Sequence, residues 1–126
     1  MYRVIKFRGK DYDNKWHYGS LLVGVADAFI YSEGKSYKIN PFTAGQFTGL
    51  KDENNKEIYE GDIVSFEDGS FETGFHDKKG KVVYDDDSAC FYFETLYGFT
   101  RIGIAIEYIK IISNIYDSPE LWKATK

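Results

Sequence analysis

The fold is decided by one stretch, Gly45-Gln46-Phe47-Thr48-Gly49-Leu50-Lys51-Asp52, which resumes after a short turn as Glu57-Ile58-Tyr59-Glu60-Gly61-Asp62-Ile63-Val64. Short apolar runs punctuated by glycines are typical of β-strands that end in tight turns. Asn54-Asn55 lies in the turn between the two halves, and asparagine tolerates the positive φ that a tight hairpin requires. At the next corner, Gly61 supplies an unusual φ and Asp62 accepts backbone N–H groups. The stretch therefore predicts architecture, and it contains no recognisable catalytic constellation.

Outside this stretch, the chain reads as further short strands separated by polar turns. The predicted strands are 2–8, 16–23, 26–31, 36–39, 43–48, 57–59, 63–66, 81–84, 90–93 and 107–112. Residues 67–79 are polar and contain glycines, which predicts a long loop, whereas 85–88 forms the turn of a hairpin. A short C-terminal helix is expected, because Ser118 suits an N-cap, Pro119 the first helical position and Glu120 the helix dipole.

These elements predict a mainly β fold, a small antiparallel SH3-like barrel with an N-terminal β-hairpin subdomain and a short C-terminal helix. Pro41 has no N–H to donate within a sheet, so we place a boundary at Asn40-Pro41. Residues 1–40 then form the N-terminal β subdomain, and 41–126 form the barrel core with the helix. The corner at 60–64 is similar to the first strand of SH3-like barrels, an analogy of fold that carries no function.

Charge is divided unevenly along the 126 residues, whose formal net charge is −4. Residues 1–40 contain seven Lys and Arg against four Asp and Glu, a balance of +3. Residues 41–126 contain nine against sixteen, a balance of −7. An acidic body repels phosphate backbones, which argues against nucleic acid as the partner. Ends of opposite charge also suit contact between copies of the same chain.

The distribution of cysteine and of apolar residues indicates the compartment. Cys90 is the only cysteine, so no intrachain disulfide forms, and a reducing environment is expected. The N-terminus has no long apolar run of the kind that a signal peptide needs. No stretch approaches the roughly 18 apolar residues that span a bilayer. We expect a soluble intracellular protein without a membrane partner.

Residue types that often carry chemistry are present without the spacing that the chemistry requires. His17 and His76 lie far apart, and neither has a cysteine or second histidine at the spacing of a zinc site. The glycines of 45–51 do not lead into the Gly-Lys-Ser/Thr ending of a phosphate loop. Asp85-Asp86-Asp87 lacks the alternating ligands of a calcium loop and reads as a solvated turn.

Three carboxylates also lie close together in sequence, at Glu57, Glu60 and Asp62. Paired carboxylates carry out hydrolytic chemistry in some enzymes. The corner itself explains Asp62 better, because the backbone there needs a hydrogen-bond acceptor. The sequence thus predicts no enzyme activity, no catalytic residues, no cofactor and no metal.

Aromatic residues make up 18% of the chain, including eleven Tyr and ten Phe. Core and cross-strand packing explains most of them, because aromatic side chains dominate core energetics. Trp16, Tyr18 and Trp122 are the candidate interaction residues, since Trp and Tyr are frequent anchors at interfaces. Trp16 and Tyr18 also lie close in sequence to the basic residues of the N-terminus, which are Arg3, Lys6, Arg8 and Lys10.

Three parts of the sequence resemble the YopX family of phage and prophage proteins. They are the stretch 45–64, the opening Ile5-Lys6-Phe7-Arg8 with Tyr18-Gly19, and the close Asn114-Ile115-Tyr116-Asp117-Ser118-Pro119-Glu120-Leu121. Ser113 stands where the family has Gly, and Asp117-Ser118 where Glu-Asn is common. The resemblance implies phage or prophage origin in bacteria, a mostly β fold and self-assembly into oligomers. It implies no established activity and no catalytic residues.

Two functions from different classes follow from these observations. The first is a non-enzymatic protein-interaction module in the cytoplasm of a bacterial host cell, which self-associates and binds a host or phage protein. The alternative is a nucleic-acid-binding β-barrel that uses its basic and aromatic N-terminal surface. In that case, Trp16 and Tyr18 would stack on bases.

Overall fold

The computed structural model describes residues 3–68, 76–96, 98–102 and 106–123 of the chain. The chain divides into two compact units, Met1–Gly49 and Leu50–Lys126. The strands that begin in the first unit are β1 Phe7–Lys10, β2 Trp16–Val23, β3 Ala28–Ser32, β4 Lys35–Ile39 and β5 Gly45–Lys51. The second unit contains β6 Glu57–Tyr59, β7 Asp62–Asp68, β8 His76–Asp85, β9 Cys90–Thr95, β10 Gly98–Arg101, β11 Ile106–Asn114 and the helix α1 Pro119–Lys123.

The first sheet is antiparallel along β1 to β4 and has the strand order β4-β3-β2-β1-β5-β6. Alternate residues of a strand point to opposite faces, and one face of this sheet, the inner face, carries the buried residues. That inner face forms a core of Ala28, Ile30 and Ile39. Pro41 begins a 3-10 turn, Pro41–Thr43, and the side chain of Asn40 caps the turn at the N–H of Phe42. The domain boundary predicted at Asn40-Pro41 falls at the start of this turn, whereas the two compact units divide after Gly49.

The second sheet is also antiparallel and has the order β10-β9-β8-β7-β11. Its strands bury one face around the side chains of Ile58, Val64, Phe66, Val82 and Phe93. The rings of Phe66 and Phe93 lie 4.7 Å apart between centroids and are tilted by 40°. Tilted aromatic pairs at this separation add to the stabilisation that burial alone provides.

The prediction of a mainly β protein with a short C-terminal helix is confirmed, since α1 begins at Pro119. The prediction of a closed barrel is wrong, because the two sheets remain open. The reason lies in the topology of the second sheet, where β11 returns to pair with β7 and leaves β10 and β11 as opposite edges. Within the described residues, no helix is long and apolar enough to span a membrane.

Several predicted element bounds also differ from the structure. The first strand begins at Phe7, and β10 was not predicted from the sequence. The strand β8 begins at His76, inside the segment expected to be a loop, while residues 69–75 of that segment lie outside the described residues. Long polar strands lack the apolar alternation by which a strand is recognised.

Candidate interaction surface

The face of the first sheet that points away from its core carries aromatic and basic side chains. Lys10 lies directly opposite Trp16, and Arg8 opposite Tyr18, so these four residues share one face. The next strand pair continues the same face, with Ser20 opposite Tyr31 and Leu22 opposite Phe29. We call this surface the outer face, and its members are Arg8, Lys10, Trp16, Tyr18, Ser20, Leu22, Phe29 and Tyr31.

Two cations hold the indole of Trp16 within the outer face. The guanidinium carbon of Arg8 lies 4.5 Å from the ring centroid, and the amine of Lys10 lies 5.6 Å from it. Cations at such distances are attracted by the negative face of the ring. Arg8 is only 5% exposed, which lowers the local dielectric and strengthens that attraction. The two cations therefore favour one orientation of the indole.

Two tyrosines give the outer face its exposed aromatic area. Tyr18 and Tyr31 are 46% and 48% exposed, although each belongs to an internal strand of the sheet. Tyr31 is diagonal to Tyr18 across the β2–β3 pair, and side chains in such positions lie about 7 Å apart. An exposed pair of tyrosines on a rigid sheet offers large contact area at low entropic cost.

The outer face ends at a hairpin tip that carries aliphatic side chains. Val23 is 75% exposed and Val25 is fully exposed, and Leu22 lies beside them at the end of β2. The tip is closed by a hydrogen bond from the N–H of Gly24 to the carbonyl of Asp27, 2.7 Å long. We call Leu22, Val23 and Val25 the aliphatic tip. The tip thus exposes three neighbouring aliphatic side chains.

On the opposite side of the first sheet, His17 has a structural role. Its Nε2 lies 2.8 Å from Oδ2 of Asp11, and its ring stacks on Tyr37 at 4.0 Å and 15°. The hydrogen bond with His17, together with those from the N–H groups of Lys15 and Asp13, lowers the pKa of Asp11 to about 2. Among the described residues, no group of three or more His, Cys, Asp or Glu is arranged to hold a metal ion.

In the second unit, Asp52 stabilises the hairpin turn within residues 45–64, which we call the deciding stretch. Its Oδ1 accepts hydrogen bonds from the N–H groups of Asn54 and Lys56, each 2.9 Å long. Its Oδ2 accepts the N–H of Ile111 at 3.1 Å. Burial raises the pKa of Asp52, but the three backbone N–H donors outweigh that effect and hold the pKa below its usual range.

The same turn covers the edge of β11. The N–H of Glu53 donates to the carbonyl of Ile109 over 2.8 Å, beside the bond from Ile111 to Asp52. Exposed edge strands invite unwanted pairing, and proteins protect them with such cover. The predicted tolerance of asparagine for positive φ is confirmed in this turn, where Asn55 has φ +65°.

The corner after β6 is built around Gly61 and Asp62. The buried carboxylate of Asp62 accepts the N–H of Tyr59 at 2.7 Å, as the sequence predicted for a tight corner. Gly61 has φ +92°, and a Cβ there would lie 2.9 Å from the ring of Tyr116. Its N–H donates to Val82 and its carbonyl accepts from Ile115, so the corner joins three segments.

The remaining residues of the deciding stretch take ordinary places in strands and turns. Gly45 pairs with Arg8 and Gln46 with Phe7 across β5 and β1. Thr48 and the positive-φ residue Gly49 follow in β5, ahead of the exposed Leu50. Ile58, Tyr59, Ile63 and Val64 are buried, whereas Glu60 is half-buried. The carboxylate of Glu57 accepts the hydroxyl of Tyr59 at 3.1 Å.

Trp122 lies in α1 and is 8% exposed, with the amine of Lys81 positioned 5.4 Å from its ring centroid. The preceding turn is held by Asn114, whose side-chain oxygen accepts the N–H groups of Tyr116 and Asp117. The structure therefore gathers Trp16 and Tyr18 on the outer face and places Trp122 in the packing of the second unit.

Sequence reasoning missed Tyr31 and the aliphatic tip as members of the surface. All lie in or beside runs that read as strands, where apolar residues are ordinarily core material. For Tyr31 and Leu22 the available signal was the period of two, which turns them away from Ile30 once 16–23 and 26–31 pair as a hairpin. Val23 lies opposite Ala28, on the face of Ile30, and is exposed at the end of its strand. The pairing register of the strands decides which of the two alternating sets of residues is exposed, and local sequence does not determine that register.

This geometry defines a class of protein: a mainly β chain of two compact units. Its turns are stabilised by Asp52, Gly61, Asp62 and Asn114. The model of the YopX protein family matches residues 6–123, so the chain belongs to the YopX family, as its sequence motifs predicted. The structure is similar to the crystal structure of protein EF1440 from Enterococcus faecalis, with a TM-score of 0.59 and 26% identity over 95% of this chain and 99% of that chain. No curated protein matches the chain.

Proposed function

We propose that this YopX family member is a non-enzymatic protein-interaction module, encoded by a phage or prophage, that self-associates through its outer face. The observation that carries the proposal is the exposure of Tyr18 and Tyr31 beside the oriented indole of Trp16. Interfaces are enriched in Tyr, Trp and Arg, and their energy is concentrated in such anchors. The host cytoplasm is the compartment in which the module would act.

The distribution of charge supports a second copy as the partner. The unit Met1–Gly49 has a balance of +3 and the unit Leu50–Lys126 a balance of −7. Opposite charges on the two ends of one chain attract copies of that chain and orient them head to tail. Asp52, Asp62 and Asn114 of the family motifs are occupied in hydrogen bonds to backbone groups, so the proposal assigns them to the fold and not to the interface.

The test is the mass of the protein in solution over a range of concentrations, measured by light scattering after size exclusion. We expect wild type to exceed the 14.6 kDa of one chain as its concentration rises. The double variant Tyr18→Ser/Tyr31→Ser is expected to remain a monomer. Tyr12→Ser removes another exposed tyrosine, one that lies in the turn before β2, and it is expected to behave as wild type. A wild-type protein that stays monomeric at every concentration contradicts the proposal.

Single-stranded nucleic acid is a second candidate partner, favoured by the same arrangement of cations and rings. Proteins that bind single strands combine a basic track with aromatic platforms on which bases stack. Arg8 and Lys10 flank Trp16, and Tyr18 follows on the same face. Binding of a labelled single-stranded oligonucleotide that weakens steeply with salt would establish this function. No binding at low salt removes it.

A further inference from the structure

The outer face has a cationic side and an uncharged side. Its two cations, Arg8 and Lys10, both lie on β1 beside Trp16. We call the rest of the face the uncharged patch, and its members are Tyr18, Ser20, Leu22, Phe29 and Tyr31. Like charges placed opposite each other across an interface cost affinity, and two uncharged patches avoid that cost when they meet.

The β2–β3 hairpin exposes more large apolar side chains than any other pair of strands in the described part of the chain. They are Tyr18, Leu22, Val23, Val25 and Tyr31. Among the described residues, strand pairs that include neither β2 nor β3 expose at most two such side chains each, as β7 and β11 do with Tyr108 and Ile112. The core of an interface needs apolar surface on both partners. The surface of a second copy that best matches the uncharged patch is therefore the same patch.

The centre of the uncharged patch is low, because a serine lies there among larger side chains. Ser20 is exposed and lies directly opposite Tyr31. Tyr18 and Leu22 lie two residues before and after Ser20, on the same face of β2. A half-turn about an axis through this low centre exchanges the two ends of the patch. The large side chain at one end of each copy then meets the large side chain at the other end of its mate.

We propose that two copies pack their uncharged patches against each other about a two-fold axis that passes beside Ser20. This inference rests on the proposed self-association and specifies its symmetry. Each Ser20 faces the Ser20 of the second copy, and the two Tyr31 rings meet beside this low centre. Each Tyr18 packs against the Leu22 of the second copy.

The symmetry of this contact has two consequences. Strands related by an axis across the strand direction run in opposite directions, which is the head-to-tail orientation that the charges of the two units favour. The interface is isologous, because the same patch is used by both copies, so association ends at the dimer.

The test places one charge at the axis. Ser20→Glu and Ser20→Lys each bring like charges face to face in a dimer of identical chains, so each is expected to self-associate at least about 100-fold more weakly than wild type. A one-to-one mixture of the two variants brings opposite charges together instead. The mixture is expected to recover a dimer of twice the 14.6 kDa of one chain.

Phe42→Glu and Phe42→Lys are the matched controls, because they add the same charges at an exposed residue of the 3-10 turn. Both are expected to self-associate like wild type. Recovery of the dimer on mixing also shows that both Ser20 variants are folded, since an unfolded chain has no patch to contribute. All masses are measured by light scattering over the same range of concentrations.

Three results would overturn the inference and leave the proposed function standing, provided that wild type self-associates. They are Ser20 variants that each associate like wild type, a mixture that stays monomeric, and a wild type that grows beyond the dimer. The last result needs no variant, so the inference stays testable even if a substitution prevents folding. A wild type that is monomeric at every concentration overturns both proposals.

Discussion

The stretch from Gly45 to Val64 and the outer face of the first sheet differ in how their polar and aromatic residues are used. In the stretch, Asp52 and Asp62 direct their carboxylates at backbone N–H groups of the same unit. On the outer face, Tyr18 and Tyr31 direct nearly half of their surface to solvent. The segment by which the family is identified therefore builds the fold, while the surface suited to a partner consists of ordinary strand residues.

This difference explains why a family can be identified from its sequence without its function becoming clear. A turn that needs a positive φ and a buried acceptor allows few residue types, so it leaves a distinctive motif. An exposed strand position accepts many side chains, and its role depends on what its neighbours present. Substitutions in the two regions are therefore expected to differ in effect, and the largest loss of stability is expected in the turns.

Asp52→Ala is expected to destabilise the protein by about 3 kcal/mol, because three backbone N–H groups lose a charged acceptor. The measurement is the free energy of unfolding by urea, at one low protein concentration for every variant. Asp86→Ala, in the exposed turn 85–88, is the control and is expected to change stability by less than about 0.5 kcal/mol. If the two substitutions changed the free energy of unfolding equally, Asp52 would contribute no more to stability than a surface aspartate.

Gly61→Ala is expected to cost about 2 kcal/mol, since alanine is strained at φ +92° and its Cβ approaches Tyr116. Gly49→Ala isolates the strain, because Gly49 has φ +89° with nothing within 4 Å of the added Cβ. Its expected cost is about 1 kcal/mol. If thermal unfolding shows the same loss for both variants, the contact with Tyr116 contributes nothing.

The contribution of Asp52 is expected to depend on pH. Its pKa is lower in the folded protein than the value near 4 of an unfolded chain, so its stabilisation is present above that value. The stabilisation is lost as pH falls through the folded pKa. The gap in unfolding free energy between wild type and Asp52→Asn is therefore expected to narrow as the pH is lowered from about 7 to about 3. A gap that is constant with pH contradicts this assignment.

On the outer face, Tyr18→Ser and Tyr31→Ser are each expected to change the free energy of unfolding by less than about 1 kcal/mol. Both side chains are partly in water, and neither belongs to the buried core of the first unit. Their effect is expected on self-association instead. A loss of stability as large as that of Asp52→Ala would place these tyrosines with the structural residues and remove the contrast between the regions.

Much of the architecture follows from the sequence by local rules. Local signals mark four of the elements: alternation in the strand 16–23, a preference for positive φ in the turn after Asp52 and at Gly61, and capping residues at the helix after Ser118. Whether the sheets close into a barrel could not be predicted from local sequence, because it depends on which strands distant in sequence pair with each other. The return of β11 to β7 and the bulge at Tyr108 leave no such local pattern.

The candidate surface was predictable only in part. Trp16 and Tyr18 stand out as aromatic residues near basic ones, and they do share a face. Tyr31 joins them through the register of the β2–β3 pair, and a shift of one residue would have turned it toward the core. Trp122 has the same residue type as Trp16, yet its packing against Lys81 became visible only in three dimensions.

The most direct test of the contrast is the solution mass of three proteins over a range of concentrations, with unfolding measured at a concentration low enough that self-association does not add to stability. They are wild type, the Tyr12→Ser control and the Tyr18→Ser/Tyr31→Ser variant. We predict that the double variant unfolds like wild type but stays at the 14.6 kDa of a single chain, while wild type and the control form larger species. A double variant with wild-type mass, or a wild type that is always monomeric, would contradict the assignment of the outer face as an interface.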